Sequence, residues 1–337
     1  MKNTFTFYNS CLILIAVLFS SNVFCQWEAQ ISGVTTSLDD VFCINQDTVV
    51  VVGDAGVILK TTNGGLLWTP KNSGTLDNIY KVQFPTANIG FAIATHSVNN
   101  VNQSSLLKTI DSGENWSPIG AGFTSSINDI CFLDEDIIYT SGGGIKKSVD
   151  GGATFTTLNS PPSIKKIKFI NQQVGFASSN EIIYKTLDGG NIWSIIYQNE
   201  YNFPNFEFKD ENIGFIYTTN EKFKTIDGGT TLTNMYTPNG RPIDFQVMNE
   251  NVVWSINRIE LLCSCPPSDC ISKSNYNPDN TNQLDEICYA GVHSNATIFN
   301  AIHFANDLTG FVVGIKVTNP EPWGPNINTY EGIIYKN

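Results

Sequence analysis

The sequence predicts an all-β chain: a seven-bladed β-propeller of four-stranded antiparallel blades, the last blade closed by the N-terminal strand. Three observations lead there. A nine-residue motif recurs five times at a nearly fixed interval, an alternating apolar strand recurs seven times, and the chain starts and stops at complementary points of the repeat. The abundance of Asn, Thr, Ser and Gly, with only 15% charged residues, is the composition of a β-rich chain with many turns.

The motif is clearest at Lys185–Trp193, KTLDGGNIW, with copies at Lys60–Trp68, Lys108–Trp116, Lys147–Phe155 and Lys224–Leu232. It reads as a strand entering a tight turn and leaving again. Thr186 ends the first strand, Asp188 is placed to accept the turn's own backbone N–H groups, and Gly189 and Gly190 supply positive φ without a Cβ penalty. Trp193 then lands on the returning strand as a large anchor. The other copies place Asn63, Asp111, Asp150 and Asp227 at the Asp position, and Trp68 and Trp116 at the anchor. Phe155 and Leu232 replace the Trp in the remaining two.

Between these turns lies a strand whose apolar residues alternate with polar ones, as in Ile167-Lys168-Phe169. Its last apolar residue is Cys43, Phe84, Phe132, Phe169, Phe208, Val247 and Phe304 in turn, and seven residues after each comes another: Val50, Phe91, Tyr139, Phe176, Phe215, Trp254 and Phe311. The unit is therefore strand, turn, strand, loop, strand, motif turn, strand, the size of one propeller blade. The anchors are spaced 41, 48, 37, 39, 39 and 57 residues apart, the long intervals holding insertions.

Closure follows by subtraction. Trp68 to Phe84, Trp116 to Phe132 and Trp27 to Cys43 are each 16 residues apart, so Trp27 behaves as a motif Trp with no motif before it. The chain ends at Ile333–Asn337, IIYKN, matching Ile182–Thr186 and stopping where the turn would begin. The N-terminal strand is thus expected to complete the last blade, removing two free sheet edges.

Residues 1–25 are expected to be a signal peptide: Lys2, the apolar run Cys11–Phe19, and Val23 and Cys25 before a cut at Gln26. Their removal takes away one base and no acid, leaving 18 basic against 31 acidic residues, or −13. A chain so acidic is expected to bind no nucleic acid and to repel anionic lipid, and no other stretch is apolar enough to span a bilayer. Residues 26–337 then form the propeller of an exported, monomeric protein, periplasmic or extracellular.

The loop joining the second and third strands of a blade lies on the face opposite the motif turns. It is expected to swell in blade two (95–105), in blade six as a Cys-rich insertion at about 257–296, and in blade seven (316–330), where Tyr276, Tyr289, Trp323 and Tyr330 offer aromatic binding surface. In an exported chain, Cys263, Cys265, Cys270 and Cys288 point to two disulfides. Three pairings are possible, a direct bond between Cys263 and Cys265 being disfavoured, and a four-thiolate zinc site is the rival reading. Cys43 and Cys131 read as buried free thiols. The polar residues just before the anchors, Gln83, Lys168, Glu207, Gln246 and His303, are placed to approach the central channel. No oxygen-ligand loop, cofactor motif or catalytic constellation is present in the sequence.

The motif resembles the Asp-box of bacterial neuraminidase repeats, and the rhythm of anchor, Gly-Phe pair and KTxDGGxxW is most similar to the photosystem II stability and assembly factor family. That resemblance implies a seven-bladed propeller and a non-catalytic binding or scaffold role, with the Asp-box residues architectural. The basic arginine patch associated with that family has no counterpart here beyond Arg241 and Arg258. Those two arginines also cannot build the carboxylate-binding triad of a sialidase. The expected function is engagement of a protein or glycan through the loop face of blades six and seven. A carbohydrate-active hydrolase other than a sialidase is the alternative, and it would need two carboxylates flanking a cleft.

Overall fold

In the computed structural model the described residues are 27–98, 101–123, 126–199, 204–218, 221–235, 242–259, 268–276, 284–291, 296–318 and 329–337. They form seven four-stranded antiparallel sheets. Blades one to six each take four consecutive strands: 38–71, 78–123, 129–157, 166–198, 205–234 and 242–291. Blade seven takes Ala296–Asn306, Thr309–Thr318 and Thr329–Lys336, and its outer strand is Glu28–Ile31. The closing pair is antiparallel with Ala29 opposite Tyr335, as the subtraction predicts. Trp27 packs edge-on against Phe304 of blade seven and Trp254 of blade six, both at 5.9 Å.

The core is a set of seams between blades. The residue seven places after each anchor meets the anchor of the next blade: Phe91 on Phe132 at 4.7 Å, Tyr139 on Phe169 at 3.7 Å, Phe176 on Phe208 at 3.5 Å and Trp254 on Phe304 at 4.8 Å. The smaller pairs, Val50 with Phe84 and Phe311 with Cys43, share the corresponding clusters. Both landmarks read from the sequence are thus two halves of one contact. The motif Trp closes the far side edge-on, Trp116 on Phe84 and Trp193 on Phe169.

Antiparallel order puts the first turn and the motif turn of a blade on one face, and they are bonded there. Gly64, Gly151, Gly189 and Gly228 donate their N–H to Asp47, Asp136, Gln173 and Asn212 at 2.8–3.0 Å. The second-to-third strand links lie on the other face.

The described residues of the three expected loops are strand. In blade two, Gly90–Val98 and Val101–Thr109 stay paired to Val98 opposite Val101, so the extra length is a longer hairpin. In blade seven the ladder runs to Thr318 opposite Thr329. The expected insertion at 257–296 contains Ser268–Tyr276 and Leu284–Gly291, the third and fourth strands of blade six. With no motif turn in this blade, the sequence carries no landmark for its outer hairpin.

Candidate functional site

The five motif turns share one hydrogen-bond scheme. The Thr or Ser hydroxyl donates to the Asp or Asn oxygen at 2.7–2.9 Å and accepts the N–H of the second glycine position at 2.8–3.0 Å. The same oxygen accepts the N–H four residues on at 2.9–3.0 Å. These bonds favour the carboxylate. The Asn115 side chain, the Thr154 side chain and the Thr231 N–H hold Asp111, Asp150 and Asp227 at about 2, and the Ile192 N–H lowers Asp188. Trp116 and Trp193 donate Nε1–H to the carbonyls of Gly113 and Gly190. The hydroxyl and the Asp or Asn oxygen of the scheme are spent on folding the turn.

Two motif lysines, and Lys336 at the matching strand position of blade seven, link blades. Lys108, Lys185 and Lys336 donate to the carbonyls of Gly151, Gly228 and Gly64 in the next blade, at 3.1, 2.9 and 2.7 Å, and lie over the rings of Phe91, Phe176 and Phe311.

The innermost strands enclose a central cavity of about 430 Å³ lined by Asp40, Lys81, Asp129, Lys166, Lys168, Glu207, Asp244 and His303, among others. The expected pre-anchor residues Gln83, Lys168, Glu207, Gln246 and His303 all reach it. A second ring, three places before the anchors, went unread: Asp40, Lys81, Asp129, Lys166 and Asp244. Strand alternation was the available signal, since residues one and three places before an anchor share a face.

These rings deal with a specific problem. The inner edge of each sheet leaves backbone N–H groups unpaired, and side chains of the preceding blade accept them. Val82 donates to Asp40 at 2.8 Å, Ile167 to Asp129 and Ile302 to Asp244 at 3.0 Å, Phe304 to Gln246 at 2.6 Å and Cys43 to His303 Nδ1 at 3.2 Å. The cations are likewise engaged: Lys81 with Asp129 at 3.6 Å, Lys166 and Lys168 with Glu207 at 3.6 and 3.1 Å. Enclosure in the channel raises Asp40 to about 7 against the opposing pull of Lys81, and raises Asp244. The same enclosure works against the charges of Lys81 and Glu207, but their ionic neighbours prevail, raising Lys81 and lowering Glu207. Burial lowers His303 to about 4, keeping it neutral. Burial also raises both thiols, Cys131 to about 11. Both are free and buried, as expected.

On the opposite face, the described hairpins of blades two, six and seven rise beyond that of blade four, where pairing ends at Ser178 with Ile183. Blades six, seven, one and two are consecutive around the ring, so the raised hairpins stand on one side of the channel mouth. Tyr330 and Val101 are exposed there. Tyr276 and Tyr289 lie on the outer strands of blade six, Cys270 and Cys288 likewise, but their side chains fall outside the described residues. Trp323, Cys263, Cys265 and Arg241 lie wholly outside them. Among the described residues no group of three or more His, Cys, Asp or Glu side chains could hold a metal ion. No helix among them is long and apolar enough to cross a membrane.

No family model matches the chain, and no curated protein does. Solved structures do. YCF48 bound to a D1 peptide is similar with a TM-score of 0.65 at 17% identity, covering 93% of this chain and 97% of that one. YCF48 from Cyanidioschyzon merolae gives 0.66 at 14% identity, covering 92% and 98%. The chain shares the fold of the YCF48 propellers. It is also similar to the GH74 enzyme of Niastella koreensis, with a TM-score of 0.66 at 16% identity, but spans only 55% of that chain. The YCF48 likeness covers the great majority of both chains, so the ring of seven blades is a fold of the same kind.

Proposed function

We propose that this protein is a non-catalytic binding propeller, exported from the cell, that seats a polypeptide partner on the face bearing the raised hairpins of blades two, six and seven. The observation that carries this reading is the one-sided wall those hairpins make beside the channel mouth, since extended loops on a rigid scaffold are where recognition concentrates. The engagement of the channel carboxylates supports the absence of catalysis. Asp40, Asp129 and Asp244 each accept a backbone N–H of the next blade, and Glu207 is held between two lysines, so these carboxyls serve the joints between blades. A polypeptide is favoured over a glycan because one structure of this fold, YCF48, is bound to a peptide.

A photo-crosslinking residue at Val101 or Tyr330, in the protein expressed in its native cell, tests the proposal. The expected result is a discrete protein adduct from both positions that weakens when Ser97–Asn102 is shortened to a two-residue turn. Glycan adducts, or release of reducing sugar from a β-glucan by the purified protein, would favour the hydrolase instead.

A further inference from the structure

The motif face carries a feature that the turn itself does not require. The residue between Thr or Ser and Asp is Ile110, Val149, Leu187 and Ile226 in four consecutive blades, exposed by 73, 66, 68 and 66%. Blade one has Thr62 at this position, in the same hydrogen-bonded turn, so the geometry does not demand an aliphatic side chain. Blade one instead exposes Leu66 and Leu67 within its turn, and blade four adds Ile192. Single exposed aliphatics are ordinary, but the same position repeated around one rim is an array.

That array stands among acids. Each aliphatic from blade two to blade five adjoins a motif aspartate held ionised by its own turn. The first turns on the same face add Asp134–Asp136 and Asp210–Glu211. Lys108, Lys185 and Lys336 are bent across the seams onto glycine carbonyls and aromatic rings, where Lys185 offsets part of the charge of Glu211 and Asp227, but the acids on this face outnumber the lysines. Lys209 is the one basic residue in the described first turns of the seven blades.

We infer that the motif face is a second docking surface, separate from the raised hairpins, for a polypeptide that alternates aliphatic with lysine or arginine side chains. The aliphatics of the partner would cover the exposed Ile, Val and Leu, and its cations would meet the intervening carboxylates. A second copy of this chain does not fit, because two such faces would set like charges together.

The probe is a fluorescein-labelled 14-residue peptide of alternating Leu and Lys, titrated by anisotropy against the protein. Two controls replace Leu by Ser or Lys by Glu. The expected result is binding to the Leu/Lys peptide at least tenfold tighter than to either control. It should weaken at least tenfold in Ile110→Ser/Leu187→Ser/Ile226→Ser and stay unchanged when the blade-two hairpin is shortened. Exposure of the three side chains leaves the fold of that variant intact, which a thermal melt checks. Equal affinity for the Ser/Lys peptide, or an unaffected triple variant, would overturn the inference by reducing it to charge alone. Sedimentation with phosphatidylcholine vesicles, lost in the triple variant while peptide binding is not, would overturn it in favour of a lipid surface.

Discussion

Four glycines show how closely single residues are fitted to the seams. A Cβ at Gly90, Gly175, Gly214 or Gly310 would come 2.3–2.6 Å from the ring of that blade's own anchor, Phe84, Phe169, Phe208 or Phe304. The Gly-Phe pair seen in the sequence thus has Gly accommodating the anchor of its own blade while Phe packs on the next. Gly214→Ala is expected to cost about 1–3 kcal/mol by overpacking, read as a lower urea midpoint with unchanged slope. The motif aspartates give a pH prediction. Their folded-state pKa, about 2 for Asp111, Asp150 and Asp227, lies below the value of about 3.9 for a free aspartate. The stability they supply is complete above about pH 4 and is lost as pH falls toward 2. Melting temperature should drop across that window, and less so in Asp111→Asn/Asp150→Asn/Asp227→Asn, since Asn63 shows that an amide oxygen sustains the same turn. Asp40 has the opposite sign. Its folded pKa of about 7 is raised, so ionisation costs stability above pH 7 and that cost vanishes as pH falls to about 4. Asp40→Asn should therefore gain on the wild type at pH 8 and lose that advantage by pH 4.

At the scale of elements, the blade seams hold the molecule together, and stacked rings carry most of them. Phe208→Ala removes a fully buried ring that stacks on Phe176 at 3.5 Å and should cost about 3–5 kcal/mol. A double-mutant cycle with Phe176→Leu should return a coupling of about 0.5–1.5 kcal/mol across the seam. What the sequence disclosed about these elements follows from how strongly each is patterned. The anchors, their partners seven residues later and the motif turns were legible because large apolar or turn-forming residues recur in phase. The outer hairpin of blade six was not, because Ser268–Tyr276 is mostly polar and Ile271 is its one described side chain in the core. The hairpin of blade two reads as a loop because polar residues such as His96 and Gln103 continue its ladder. The channel was half read: the pre-anchor ring stood out, but the acids and lysines two residues earlier passed as ordinary strand polars.

At the scale of the whole molecule, function is expected to sit on two faces of opposite character. One bears paired hairpins raised on one side, the other a rim of bonded turns with exposed aliphatics among carboxylates. Both are held in place by the same ring, and the ring depends on a strand borrowed across nearly the full length of the chain. Glu28–Ile31 pairs with Thr329–Lys336, Ser32 donates to the carbonyl of Gly332, and Trp27 fills the corner between blades six and seven. Urea unfolding of residues 26–337, compared with a chain beginning at Gly33, tests this closure most directly. The account predicts a single cooperative transition for the longer chain and a loss above about 4 kcal/mol in the shorter one, because burial of Trp27 alone is worth about 3–5 kcal/mol. Equal midpoints and slopes for the two chains would contradict it.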